Sequence, residues 1–140
     1  MDSSELLPLF VSEAREHLEG LSGLLTRARG QPAGAEEIND LFRHAHSLKG
    51  MALSLGFRPL AALAHAMEDL LHDWRSGSLR PSPETVALLL RAADRLAAQV
   101  DAVGTGGEPP AAGELVAALR DAIGSREEAP PETPAPPAEG

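Results

Sequence analysis

Leu41-Phe42-Arg43-His44-Ala45-His46-Ser47-Leu48-Lys49-Gly50 sets a histidine, a lysine three residues on and then a glycine inside a stretch with helical spacing. Lys49 is the only lysine in 140 residues, against 11 arginines. Lysine offers a compact point charge where arginine offers a planar fork. A chain that otherwise relies on arginine therefore places one ammonium beside one imidazole. Gly50 adds to the pattern, because glycine in a helix interior costs about 1 kcal/mol relative to alanine. Either a neighbouring helix packs close to Gly50, or a partner approaches the histidine there. The stretch reads as a reactive histidine, His46, on a helix surface.

Around it, Leu41, Ala45, Leu48, Ala52 and Leu55 are spaced four, three, four and three, which predicts a helix over about 35–55 closed by Gly56. Upstream, Leu7, Phe10, Ala14, Leu18, Leu21 and Leu25 mark a first helix over about 4–28, ended by the turn Gly30–Gly34. Downstream, Pro59 stands near the start of a third helix, where a missing N–H costs little. Its apolar stripe is Leu60, Leu63, Met67, Leu70 and Trp74, and Gly77 ends it. Ser82-Pro83-Glu84 is a cap-then-proline start for a fourth helix carrying Val86, Leu89, Leu90, Ala93, Leu96 and Val100. A loop over 104–110 leads to a short fifth helix over 114–123, with Leu115, Val116 and Leu119 apolar.

The expected fold is all-α: an antiparallel up-down-up-down four-helix bundle plus a short fifth helix, packed outside the bundle or extending one end. Residues 1–124 make the domain. Over 125–140 the composition changes; residues 129–140 hold five prolines and no large apolar side chain. Such a segment buries too little surface to offset its ordering entropy and reads as an extended linker, as in the N-terminal piece of a longer protein.

Hydrophobic residues make up 43% of the chain, with three Phe, one Trp and no Tyr, which favours closely packed helices over a β-sandwich. The net charge of −9 comes without a basic block, so nucleic acid is not an expected ligand. With no cysteine there is no disulfide, thiol nucleophile or thiolate metal site. Met1-Asp2-Ser3-Ser4-Glu5 lacks a signal-peptide pattern, and no apolar run approaches the roughly 20 residues that span a bilayer. A cytoplasmic protein with no membrane partner is expected.

At about 100° per residue, Phe42, His46, Lys49 and Leu53 form one stripe beside the buried one. Ala61, His65, Glu68 and His72 form a matching stripe on the third helix. Antiparallel neighbours bring such flanking stripes together, so His46 is able to meet Glu68 or His65 with one ring edge left in solvent. No G-x-x-x-x-G-K-[ST] and no Gly-rich loop after a strand is present, so no nucleotide or other cofactor is expected in this chain.

Two alternatives belong to other classes. His44, His46, His65, Glu68 and His72 offer nitrogen and oxygen ligands for a metal-binding bundle. Against it, H-E-x-x-H and paired Glu-x-x-His motifs are lacking, and His44 and His46 diverge by about 200° on a helix. No metal site is therefore expected. The other alternative is a non-catalytic helical adaptor. His17, His44 and His72 read as structural or solvent-facing.

His46-Ser47-Leu48-Lys49-Gly50, preceded by Leu41-Phe42-Arg43 and followed by Leu55-Gly56-Phe57, resembles the histidine-phosphotransfer (HPt) signature. It is most similar to the amino-terminal HPt domain of CheA-type chemotaxis histidine kinases. The resemblance extends to His65-Ala66-Met67-Glu68-Asp69-Leu70-Leu71 and to the opening Phe10–Leu18 segment, covering about residues 5–103. It departs at Met51 and Leu53, where many relatives carry small residues, and at His44.

The resemblance implies that His46 is the phosphorylated residue, with Lys49 and Gly50 on the motif's lysine and glycine and His65 and Glu68 on its supporting positions. Glu68 accepting a hydrogen bond from Nδ1–H would leave Nε2 as the nucleophile and stabilise the developing charge. Lys49 would neutralise phosphoryl oxygens, and Gly50 would admit the partner. The phosphoramidate formed would pass its phosphoryl group to an aspartate of a response-regulator receiver, most of the catalysis being positioning and electrostatics. The resemblance further implies a separate ATP-using kinase domain on the same polypeptide, acting in trans within a dimer. On that reading the chain is a fragment of a histidine kinase, a phosphocarrier with no ATP site of its own, and monomeric when isolated.

Overall fold

Glycine, proline and one serine set the helix boundaries. In the computed structural model, which describes residues 3–125, α1 is Ser3–Gly30, α2 Ala35–Ser54, α3 Arg58–Ser76, α4 Pro83–Gly104 and α5 Gly113–Ser125. The linker expected over 125–140 lies outside the described residues apart from Ser125, the last residue of α5. Gly56 and Gly77 follow α2 and α3 at φ 78° and 86°, a left-handed backbone that residues with a Cβ rarely adopt. Ser82 Oγ accepts the Thr85 N–H at 3.1 Å and caps α4, whose first residue is Pro83. The start of α2 is held by the Gly34 N–H donating to Glu37 Oε1 at 2.8 Å.

Cross-helix pairs give the directions. Between α1 and α2, His17 meets His44 and Arg27 meets Glu37; between α2 and α3, Asn39 meets Arg75 and His46 meets Glu68. Numbers rise on one helix as they fall on its neighbour, so both pairs are antiparallel. Arg15 Nη2 donates to Asp101 Oδ1 at 2.8 Å and joins α1 to α4. The four helices form a ring in which α1 and α3 each pack on both α2 and α4.

The fifth helix lies outside the bundle, over α3 and α4, with Leu115 and Leu119 buried. Polar contacts pin it there. Gln99 Nε2 donates to Pro110 O at 2.9 Å, Arg95 lies 3.0 Å from Glu114, and Arg120 donates to Asp69 on α3.

Leu21, Leu25, Leu41, Leu63, Met67, Leu70, Leu89 and Leu96 are fully buried at the centre. Leu7, Leu55, Trp74, Leu90 and Val116 pack at the core's edge and remain partly exposed. Leu71 and Leu88, which the apolar stripes omit, are buried. For α3 the cause is its central position, since α2, α4 and α5 all cover it and its buried face is wider than one neighbour requires. Among the described residues no helix is long and apolar enough to cross a membrane.

A contact between α1 and α2 explains a glycine in mid-helix. A Cβ at Gly20 would lie 2.6 Å from His44 Nε2, so the bare backbone there makes room for the His44 ring. The Nδ1 atoms of His44 and His17 are 3.0 Å apart with ring centroids at 5.3 Å, which sets the two nitrogens head-on between the rings. One proton fits between them. Desolvation, and after it the His17 charge, hold His44 below its ordinary value of 6.5; Asp40 opposes the shift and Arg43 adds a smaller push in the same direction.

The unfolded chain therefore binds a proton more readily than the fold does. This contribution to stability is complete above pH 6.5 and is lost as pH falls from there towards the lower folded value. Thermal melts between about pH 8 and about pH 5.5 should show stability falling with acid. In His44→Ala that fall should be shallower; an identical slope would contradict the assignment.

Candidate functional site

Helical period places His46 on the flank of α2 next to α3, and Glu68 on the facing flank of α3. His46 Nδ1 lies against Glu68 Oε2, and Lys49 Nζ is 2.6 Å from Glu68 Oε1. One carboxylate thus bridges the imidazole and the ammonium. Glu68 is 6% exposed, whereas the His46 side chain is 60% exposed. An ionised carboxylate only accepts hydrogen bonds, so Nδ1 carries the proton and Nε2 carries the lone pair. The site therefore pairs a buried carboxylate with an exposed imidazole.

Burial alone would raise the Glu68 pKa. Hydrogen bonds from Lys49 and His46, together with their charges, outweigh it and hold the carboxyl below its ordinary value. Glu68 is consequently an anion at neutral pH, which the tautomer assignment requires.

His65 borders this triangle but pairs with Asp69 rather than with Glu68. Its Nε2 is 3.5 Å from Asp69 Oδ2, one turn along its own helix, and its side chain is half exposed. With Lys49, Leu53, Gly56, Phe57 and Arg58 it lines an open cleft of about 450 Å³ beside the site. Gly50 is exposed, and a Cβ built there meets nothing within 4 Å. Close packing of a neighbouring helix is thus not the reason for this glycine. Gly50→Ala should raise stability by about 0.5–1 kcal/mol in denaturant melts. Gly50→Leu should keep the helical fold while weakening the docking of partners; lost helicity with unimpaired docking would contradict this.

The five-residue ligand set of the metal alternative is not assembled. His44 turns to His17 of α1 while His46 turns to Glu68 of α3. His65, Glu68 and Asp69 do converge within 4.8 Å. Their carboxylates, however, already face cations of the protein: Lys49 at Glu68 and Arg120 at Asp69. Asp69 and Arg120 were not among the residues singled out from sequence, and the only local signal was the i,i+4 spacing of Asp69 from His65. Phe42, read as a stripe neighbour of His46, has its ring stacked on the imidazole.

The sequence matches the model of the Hpt domain family over residues 5–129. Among curated relatives, chemotaxis protein CheA of Bacillus subtilis is 32% identical over 108 residues, covering 77% of this chain and 16% of that protein. Chemotaxis protein CheA of Salmonella typhimurium is 36% identical over 112 residues, covering 80% of this chain and 17% of that protein. The chain thus spans about a sixth of the length of these relatives. Among solved structures, the phosphorylated P1 domain of CheA3 in complex with CheY6 from R. sphaeroides superposes with a TM-score of 0.79 at 26% identity. That match covers 86% of this chain and 96% of the other. The solution structure of the histidine phosphotransfer domain of CheA gives 0.76 at 31% identity, covering 89% and 92%.

Proposed function

This chain belongs to the Hpt domain family, and from that premise we propose that it carries phosphoryl groups in chemotaxis-type two-component signalling, with His46 as the acceptor. The observation that supports this most is the pairing of an exposed imidazole with a buried, doubly paired carboxylate at its Nδ1. The Nε2 lone pair attacks the γ-phosphorus of ATP held by a kinase domain; the N–P bond forms as the P–O bond to ADP breaks. The ring keeps its Nδ1 proton and gains positive charge, which the Glu68 anion offsets. Lys49, paired with the other oxygen of Glu68, would answer the added negative charge of the phosphoryl oxygens.

In the second transfer an aspartate carboxylate of a receiver attacks the phosphorus. The N–P bond breaks and its electron pair returns to Nε2. A relative's P1 domain was solved with CheY6, which supports a receiver of this kind as the partner. Positioning and the partner's own electrostatics supply most of the rate, so the chain needs no cofactor of its own. The matched part of this chain covers only about a sixth of each of these relatives named CheA. We read this chain as the phosphocarrier part of such a cytoplasmic kinase, served in trans by its ATP-binding domain.

The test is incubation with ATP and a CheA-type kinase core lacking its own Hpt domain, followed by a receiver. Acid-labile, alkali-stable phosphate should appear on the chain and leave it when the receiver is added. A folded chain that accepts nothing from the core or from phosphoramidate contradicts the proposal.

A further inference from the structure

Glu68 fixes one atom of the His46 ring, and one hydrogen bond does not fix a plane. The imidazole remains free to tilt about that contact unless something bears on its face. Phe42, one helical turn earlier on α2, does so. The two rings stack with centroids 5.9 Å apart and planes 13° from parallel, within the range of offset aromatic pairs.

Phe42 is itself held from α3. The Arg75 guanidinium carbon lies 3.8 Å from its ring centroid, and the His72 ring is 6.0 Å away at a tilt of 52°. Arg75 is in turn tied to α2, its Nη1 donating to Asn39 Oδ1 at 3.1 Å. Phe42 is only partly buried, beside the core stripe of Leu41, Ala45 and Leu48. Its ring serves the face of His46 more than the centre of the bundle.

We propose that Phe42, backed by Arg75, is a positioning residue that sets the plane of the His46 ring so that the Nε2 lone pair is presented for in-line phosphoryl transfer. The inference rests on His46 being the phosphoacceptor. In-line displacement depends on the direction of the attacking lone pair, and small misplacements of a reacting atom carry large rate penalties. Arg75 acts through Phe42, so its loss should weaken the effect without removing it.

Phosphoramidate serves as the donor, which removes any partner from the measurement. Wild type, Phe42→Leu, Phe42→Tyr and Arg75→Gln are compared by phosphorylation rate, by helicity, and by the His46 side-chain rotamer and tautomer from NMR couplings and nitrogen shifts. Phe42→Leu should stay folded, show an averaged His46 ring and react roughly tenfold more slowly. Phe42→Tyr, which keeps the aromatic face, should retain the wild-type ring orientation and rate, with Arg75→Gln falling between the two.

A folded Phe42→Leu with the wild-type ring orientation overturns the proposal, whatever its rate. So does a disordered ring with an unchanged rate. If Phe42→Leu does not fold, Arg75→Gln carries the same comparison. A wild-type chain that takes no phosphate on His46 defeats the phosphotransfer reading, and the positioning role falls with it. Failure of the positioning role alone looks different: wild type and Phe42→Leu label equally.

Discussion

Glu68→Ala is expected to keep the bundle and to slow phosphorylation of His46 by roughly a hundredfold, the lower range of what a positioned acid or base contributes. The carboxylate has two tasks, and alanine ends both. It accepts the Nδ1 proton, which holds Nε2 in its nucleophilic state, and it supplies the negative charge that faces the ring as the N–P bond forms. Glu68→Gln separates them, since its amide oxygen still accepts a hydrogen bond but carries no charge; its rate should fall between the two. Alanine also leaves the Lys49 ammonium, whose side chain is 23% exposed, without its partner. A stability loss of about 1–3 kcal/mol should follow. Wild-type rates in a folded Glu68→Ala would contradict the role.

The second large effect concerns Lys49. Lys49→Ala should reduce the rate by roughly ten- to a hundredfold, the scale of losing an electrostatic contact to developing charge. It should also move the pH profile. In the intact site, burial raises the Glu68 pKa while Lys49 and His46 lower it further than burial raises it. Without Lys49 only His46 opposes burial, so the pKa of Glu68 rises. Protonated Glu68 no longer offers an anion to Nδ1–H, and the acid limb of the rate–pH curve should shift to higher pH. Lys49→Arg keeps a cation beside Glu68 and should shift the limb less. An unmoved acid limb in Lys49→Ala would contradict the coupling.

The helices and their ends were legible because their signals are local. Gly56, Gly77 and Ser82 each state a backbone requirement within a few residues, and the structure places them at those ends. The position of α5 was not legible. Leu115 and Leu119 require a buried face but do not say against what; the deciding contacts, such as Arg120 with Asp69, join residues 51 apart.

The same limit applies inside the candidate site. Helical period put His46 and Glu68 on facing flanks, yet it put His65 on the same flank as Glu68. The packing of α3 turns Glu68 inward, at 6% exposure, and leaves His65 to pair with Asp69. The His17–His44 contact depended on the register of α1 against α2, and its one sequence trace was a glycine, Gly20, in the middle of a helix. Phe42 was visible as a neighbour of His46 one turn away. Its stacking, and the hold of Arg75 from α3, are tertiary facts.

The most direct test of the central claim is to treat the folded chain with phosphoramidate and map the phosphate by mass spectrometry at neutral pH, beside His46→Gln. A single acid-labile phosphate on His46, absent from a His46→Gln chain of wild-type helicity, is the predicted result. Phosphate that persists in His46→Gln, or a folded wild-type chain that takes none, would contradict the account.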